Sequence, residues 1–267
     1  MTRIGKLFEN LKHDGRKGLI AYLTAGDPSP AQTPELVEAL ERGGADLIEL
    51  GVPFSDPIAD GPVIQRAGER ALAAGTSLTG VLDIARQIRQ RSEIPLLLFT
   101  YLNPVVRYGL HRLAKNAAEA GIDGCLLTDA SVEEAHEYVG AMHQRGLDTV
   151  FMATPTSTER RLKLVAQYST GFVYLVSRTG VTGERDSLSG AVAPLVTAMR
   201  AITDLPLAVG FGISRPEHVA QVAAQADAVV VGSAIVRVIE KHAGSPHLAP
   251  ELESFVRQLH GGFGAPA

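Results

Sequence analysis

Apolar positions along the 267-residue chain fall into short continuous runs separated by segments of helical spacing. Residues 3–13 place Ile4, Leu7, Phe8 and Leu11 on one helical face. The run Gly18–Thr24 (GLIAYLT) reads as strand one and stops at the turn signal Ala25-Gly26-Asp27-Pro28. A helical pattern through Leu36, Val37 and Leu40 closes at Gly43-Gly44. Strand two follows, with Ala45, Leu47, Ile48 and Leu50 as its apolar residues. Helical segments at about 62–74 and 79–90 precede strand three, Pro95–Leu102, and a helix at about 109–120 precedes strand four, Gly124–Asp129. Strands five to eight are expected at Asp148–Thr154, Gly171–Ser177, Pro206–Phe211 and Ala228–Val231. Helices are expected between them, and two more, at about 233–241 and 249–260, precede a frayed glycine-rich tail. Ser131–Glu134, Thr156–Glu159 and Ser214–Glu217 each have the Ser/Thr-x-x-Glu form of a capping box opening a helix.

Continuous rather than alternating apolar strands imply parallel pairing with both faces covered. Eight such strands, each followed by helix at an even pitch with no linker, predict one α/β domain over 1–267. The expected architecture is a (β/α)8 TIM barrel with an extra N-terminal helix and long loops after strands two and six. An open doubly wound sheet is disfavoured, because no G-x-G-x-x-G turn follows strand one.

Composition narrows the class. The net charge of −4 carries no basic footprint for nucleic acid. Cys125 is the single cysteine, so no intrachain disulfide forms, and its apolar run makes it a small core residue. No apolar run approaches the roughly 20 residues that span a bilayer. The charged start, MTRIGKLFENLKHDGRKG, lacks a signal-peptide apolar region, and a cytoplasmic location is expected.

In such a barrel the chemistry sits where strand C-termini meet the following loops. Glu49 lies among aliphatic residues near the end of strand two, and Asp60 lies in the proline-rich loop after it. A buried carboxylate is costly unless paired or used. Structural readings are a strand-end salt bridge for Glu49 and a helix N-cap ahead of Gly61-Pro62 for Asp60. Tyr22, Tyr101, Asn103, Asp129, Tyr174, Phe211 and Gly212 fall at or near other strand ends, so the mouth would be aromatic with a few carboxylates. Glycine turns at 210–214 and 232–234 run directly into helices after strands seven and eight, the phosphate cradle of this fold. The polar segment 178–188 exceeds a usual βα connection and reads as a lid, or as a surface insertion without catalytic use. No lysine and no histidine falls at a strand C-terminus, which disfavours a Schiff base or a His-ligated catalytic metal. Carboxylate proton transfer on a phosphorylated substrate remains.

The motifs AYLTAGDPSP, ELGVPFSDPIADGPVIQ, TYLNPVVRYG, FVYLVSRTGVTG, GFGIS and VGSAIV, in order over about residues 4–260, resemble those of the tryptophan synthase alpha chain family. The resemblance implies cleavage of indole-3-glycerol phosphate to indole and glyceraldehyde 3-phosphate. It also implies docking, as an α2β2 heterotetramer, to a β subunit that holds pyridoxal phosphate and consumes the indole; no cofactor is implied in this chain. By motif match Glu49 is the proton shuttle and Asp60 accepts the indole N–H. Tyr22, Tyr101, Leu126, Tyr174 and Phe211 would surround the indole; Gly183, Gly212, Gly232 and Ser233 would hold the phosphate, with Thr182 in the lid. The chain departs from the family pattern at Thr128-Asp129-Ala130-Ser131, near the implied β contact, and at Ala21, where a proline is common. Three other readings stay open: a stand-alone lyase releasing free indole, a weakly catalytic allosteric partner of a β subunit, or another phosphate-binding barrel enzyme such as an isomerase.

Overall fold

Eight parallel strands follow one another around a closed barrel in chain order, and the last pairs with the first. They are β1 (Gly18–Thr24), β2 (Leu47–Gly51), β3 (Leu96–Thr100), β4 (Gly124–Leu127), β5 (Asp148–Ala153), β6 (Val173–Val176), β7 (Leu207–Gly210) and β8 (Ala228–Val231). The computed structural model describes residues 1–176, 192–210 and 212–264. The described helices are α1 (Arg3–His13), α2 (Thr33–Arg42), α3 (Pro62–Ala73), α4 (Leu78–Arg89), α5 (Leu102–Tyr108), α6 (Leu110–Glu119), α7 (His136–His143), α8 (Glu159–Tyr168), α9 (Val192–Arg200), α10 (Pro216–Ala223), α11 (Ser233–His242) and α12 (Leu248–His260).

Alternation along each strand makes two cores. Outward residues such as Leu19, Ala21, Leu23, Ile48, Leu50, Leu96 and Leu98 pack under the helices. Inward residues Ile20, Leu47, Leu97, Leu126, Val150, Tyr174, Ala208 and Ala228 fill the barrel. Because both faces are covered, β1 and β2 are buried at every position, which is why their sequences do not alternate.

The N-terminal end of the barrel is plugged by α1. Ile4, Phe8 and Leu11 join the interior cluster, and the Phe8 and Phe172 rings lie 5.6 Å apart. Thr2 caps α1 by accepting the Gly5 N–H at 3.1 Å. Each such apolar side chain, fully buried, contributes about 1.5–3 kcal/mol. The amphipathic pattern of residues 3–13 is thus used to close the barrel floor.

Strand ends differ from the sequence expectation in an informative way. Strand three stops at Thr100, and Leu102 begins α5, which the apolar run PLLLFTYL concealed. Tyr101 is extended at the N-cap, and Asp129 Oδ1 accepts the Leu102 N–H at 2.7 Å. Pro104 is tolerated in this first turn, where backbone N–H groups lack helical partners. Strand four likewise ends at Leu127, leaving Asp129 in the loop.

None of the three capping boxes forms as spaced. Ser131 bonds Glu133 at 2.5 Å within a 3-10 turn, Val132–Glu134, ahead of α7. Thr156 bonds Thr154 at 3.0 Å, and Thr158 caps α8 instead by accepting the Arg161 N–H. Pro216 takes the first helical position of α10 and leaves extended Arg215 as its N-cap. The glycine-rich tail is not frayed over Gly261–Phe263, which form a 3-10 turn with Phe263 against the His260 ring at 5.3 Å.

Candidate active site

Glu49 lies on the inward face of β2, in register with Tyr22 of β1 and Leu97 of β3. It is 1% exposed, and its Oε1 has no hydrogen-bond partner among the described residues. Burial alone acts on it and pushes the carboxyl up to about 8. The salt-bridge reading is therefore set aside. An unsatisfied buried polar atom costs on the order of 1–3 kcal/mol, so the site holds Glu49 at a cost to stability.

Two glycines admit two tyrosines beside it. A Cβ on Gly51 would come within 2.3 Å of Tyr22 Oη, and one on Gly210 within 2.2 Å of Tyr174 Oη. Tyr22 Oη bonds Thr24 Oγ1 at 3.2 Å, and its ring meets Phe99 edge-on at 5.2 Å. Burial holds both phenols protonated, and the field of Glu49 adds to this at each. Leu126 lies below them, fully buried in the interior layer.

Asp60 follows in the loop between β2 and α3. It is not the N-cap; Gly61 takes that position and Pro62 the first helical one. Burial pushes Asp60 up to about 6, while a hydrogen bond from Tyr101 acts against the rise. The loop is held from three sides: Ala59 N–H donates to Tyr101 Oη at 3.1 Å, Gln65 Nε2 donates to the Asp60 carbonyl at 2.8 Å, and Phe54 packs on the Tyr101 ring at 5.3 Å.

The glycine turns after β7 and β8 follow neighbouring strands, because β7 pairs with β8. Gly212 has φ +83°, a conformation that favours glycine. Gly232 is the N-cap of α11 and Ser233 its first residue, so the N-cap position offers no capping side chain. The first-turn N–H groups of α11 are thus available to an anion. Thr182, Gly183, Phe211 and the lid segment 178–188 lie outside the described residues.

The structure also brings in residues the sequence reading did not single out. Asp27, 1% exposed, is bound by Arg70 through two bonds of 2.7 and 2.8 Å. Arg70 also reaches Glu240 at 2.9 Å, and Arg66 reaches it at 2.6 Å. Arg66 and Arg70 together hold Glu240 down to about 2. The network ties the loop after β1 to α3 and α11, whose N-termini carry the Asp60 turn and Ser233. Arg66 and Arg70 at i, i+4 were the available signal.

The model of the tryptophan synthase alpha chain family matches residues 8–261. The chain belongs to the tryptophan synthase alpha chain family. The tryptophan synthase alpha chain of Solibacter usitatus is 74% identical over 267 residues, covering 100% of both chains. That of Geobacter sulfurreducens is 49% identical, covering 99% of this chain and 100% of its own. Among solved structures, tryptophan synthase of Mycobacterium tuberculosis superposes with a TM-score of 0.91 at 36% identity, covering 98% of each chain. A chain of the tryptophan synthase α2β2 complex of Pyrococcus furiosus gives 0.86 at 40% identity, over 91% of this chain and 98% of its own. The two departures from the family pattern are accommodated locally: Ala21 is fully buried in the outer core, and Asp129 caps α5.

Proposed function

We propose that this chain carries out the alpha reaction as a carbon–carbon lyase, cleaving indole-3-glycerol phosphate with Glu49 and Asp60 as its acid–base pair. The observation that carries this reading is the Glu49 carboxyl, buried on the inward face of β2 with Oε1 unpartnered among the described residues, followed by Asp60 in the next loop; burial raises both, Glu49 to about 8 and Asp60 to about 6. Near neutral pH the first is largely protonated and the second largely ionised, a division suited to acid–base work. Glu49 donates a proton to indole C3. The resulting indolenium cation gains positive charge at its N–H, which the Asp60 carboxylate accepts. The bond from C3 to the glycerol carbon then breaks, its electron pair returning to the ring. The glycerol hydroxyl proton passes to the Glu49 carboxylate as the aldehyde of glyceraldehyde 3-phosphate forms. Tyr22, Tyr101, Leu126, Tyr174 and Phe211 enclose the indole, and Gly183, Gly212, Gly232 and Ser233 hold the phosphate, with Thr182 in the lid.

The same reading makes 1–267 a single domain, places the enzyme in the cytoplasm, and gives it a β subunit in an α2β2 assembly, with pyridoxal phosphate in that partner and no cofactor in this chain. Among the described residues, no helix is long and apolar enough to cross a membrane. Large apolar side chains stand exposed at Ile58, Leu72, Leu102 and Val106, on the β2–α3 loop, α3 and α5, which supports a partner face there. Leu72 also lines a hollow of about 380 Å³ together with Pro53, Phe54, Pro104 and Tyr108.

Indole release by the wild type and by Glu49→Gln, each with and without a β subunit, tests the reading. Release by the wild type, faster with partner and lost in the variant, is expected. Fast release without partner would favour a stand-alone lyase. No release under any condition would leave an allosteric partner.

A further inference from the structure

Two of the helices at the mouth are extra to the barrel wall. β2 is followed by α3 and then α4, and β8 by α11 and then α12. Helix α2 packs against both α4 and α12, which places those three in the outer ring, whereas α3 and α11 pack on each other and on β1. Where they meet, Tyr22, Ile64, Ala67 and Val236 form a small core of their own. Helix α3 begins just after Asp60, and α11 begins at the Gly232-Ser233 turn. The indole and phosphate halves of the proposed site are therefore carried on two helices that share one small core.

One side chain joins all three segments. Arg70 of α3 donates two hydrogen bonds to Asp27, in the loop after β1, and a third to Glu240 of α11, so all three guanidinium nitrogens are used. Arg66, one turn earlier, adds bonds of 2.6 and 2.8 Å to Glu240. Asp27 is 1% exposed, and a Cβ on neighbouring Gly26 would collide with Thr76, just beyond α3. The loop is thus pressed onto the end of α3 as well as bonded to it. Arg70 lies about two turns into α3, and Glu240 about two turns into α11. A planar fork held by two carboxylates fixes direction as well as distance, which a point charge does not.

We infer that Arg70 is a positioning residue that sets the spacing between the Asp60 turn and the anion-binding turn of α11, by locking α3, α11 and the loop after β1 into one body. The inference rests on the proposed substrate, whose indole and phosphate lie at opposite ends and must reach both turns at once. A network that served stability alone would not distinguish a ligand that spans the two turns from one that occupies a single turn.

That difference is the test. Glu240→Gln weakens the link between α3 and α11 while leaving buried Asp27 paired with Arg70, and Arg70→Lys keeps the charge but not the fork. Each is made in the full chain carrying Glu49→Gln, so that indole-3-glycerol phosphate binds with little turnover, and is titrated calorimetrically with that substrate and with inorganic phosphate. The substrate Kd should rise about tenfold in each variant, and the phosphate Kd by less than about threefold. Combining the two changes should add little to Arg70→Lys alone, because both act on the same link. An unchanged substrate Kd in variants that unfold at lower urea would reduce the network to a stabilising one and overturn the inference. Equal losses for substrate and phosphate would overturn it too, since they would put the damage at the α11 turn alone. A chain with Glu49 intact that binds the substrate without cleaving it overturns the lyase reading alone; the Kd comparison needs no turnover and still decides the role of Arg70.

Discussion

The two ends of the barrel treat buried and half-buried carboxylates in opposite ways. At the N-terminal ends of the strands stand Asp46, Asp123, Asp148 and Asp227. Asp46 accepts the Leu19 N–H and Asp227 the Leu207 N–H, each at 2.8 Å from the neighbouring strand. Asp123 accepts the Leu96 N–H at 2.8 Å, Arg89 at 2.6 Å and Arg3 at 3.1 Å. Asp148 is bound by Thr170 at 2.8 Å and by Thr2. Burial pushes Asp123 up, but an N–H and two guanidinium groups act against it. At the other end Glu49 has no such opposition, and Asp60 has a single phenol. Satisfied carboxylates pin strands together; on the proposed reading, the two at the mouth serve a proton and a substrate donor instead.

That contrast predicts opposite responses to mutation. The largest effect should be on activity: Glu49→Gln is expected to lower kcat for indole release by about 10²–10⁴-fold. Its unfolding free energy should fall no lower than wild type. The sign is worked from linkage: Glu49 is raised from 4.5 to about 8 on folding, so wild-type stability declines as pH rises through that interval. The variant should lack this decline, as urea unfolding at pH 5 and pH 9 would reveal. A variant less stable than wild type at pH 9 would break the comparison.

At the other end the change falls on stability. Asp123→Ala removes the partner of Arg89 and should cost about 3–5 kcal/mol in urea unfolding, with kcat per folded molecule unchanged. A loss of kcat there would mean that the two ends are coupled. Gly51→Ala tests the mouth without touching a carboxylate. The added methyl displaces Tyr22, and about 1–3 kcal/mol of overpacking should accompany a raised KM in steady-state assay. The smallest effect is expected on the exposed face of α12, where Arg257→Ala breaks an i, i+4 pair with Glu253. Unfolding should change by only about 0.5 kcal/mol.

Much of this was legible in the chain itself. The boundaries of α1, β1 and β8 follow directly from apolar runs and flanking glycines, because burial on both faces leaves no polar interruption within a strand. Glu49 stood out for the same reason, as the one carboxylate inside such a run. Asp27 did not, since an aspartate before proline looks like any turn until Arg70 arrives from α3 to bind it. Gly210 was legible only as the start of a glycine turn, and the room that Gly51 and Gly210 leave for Tyr22 and Tyr174 was not, since those tyrosines reach them only once the barrel closes. The Asp before or at the start of β2, β4, β5 and β8 recurs too sparsely to be told from loop polarity.

What the sequence determined by itself is therefore local: the eight strands, the parallel class, and the residue types offered at each strand end. Periodicity and turn chemistry act over a few residues and need no partner from elsewhere in the chain. Tertiary structure decided where α7, α8 and α10 begin, overriding three Ser/Thr-x-x-Glu patterns, because the span from strand to helix is set by barrel geometry. It also decided which carboxylate would be satisfied and which left alone. A pKa depends on what lies within a few ångströms in space, and at Glu49 and Asp60 those neighbours come from β1, β3 and β6, brought together only by closure.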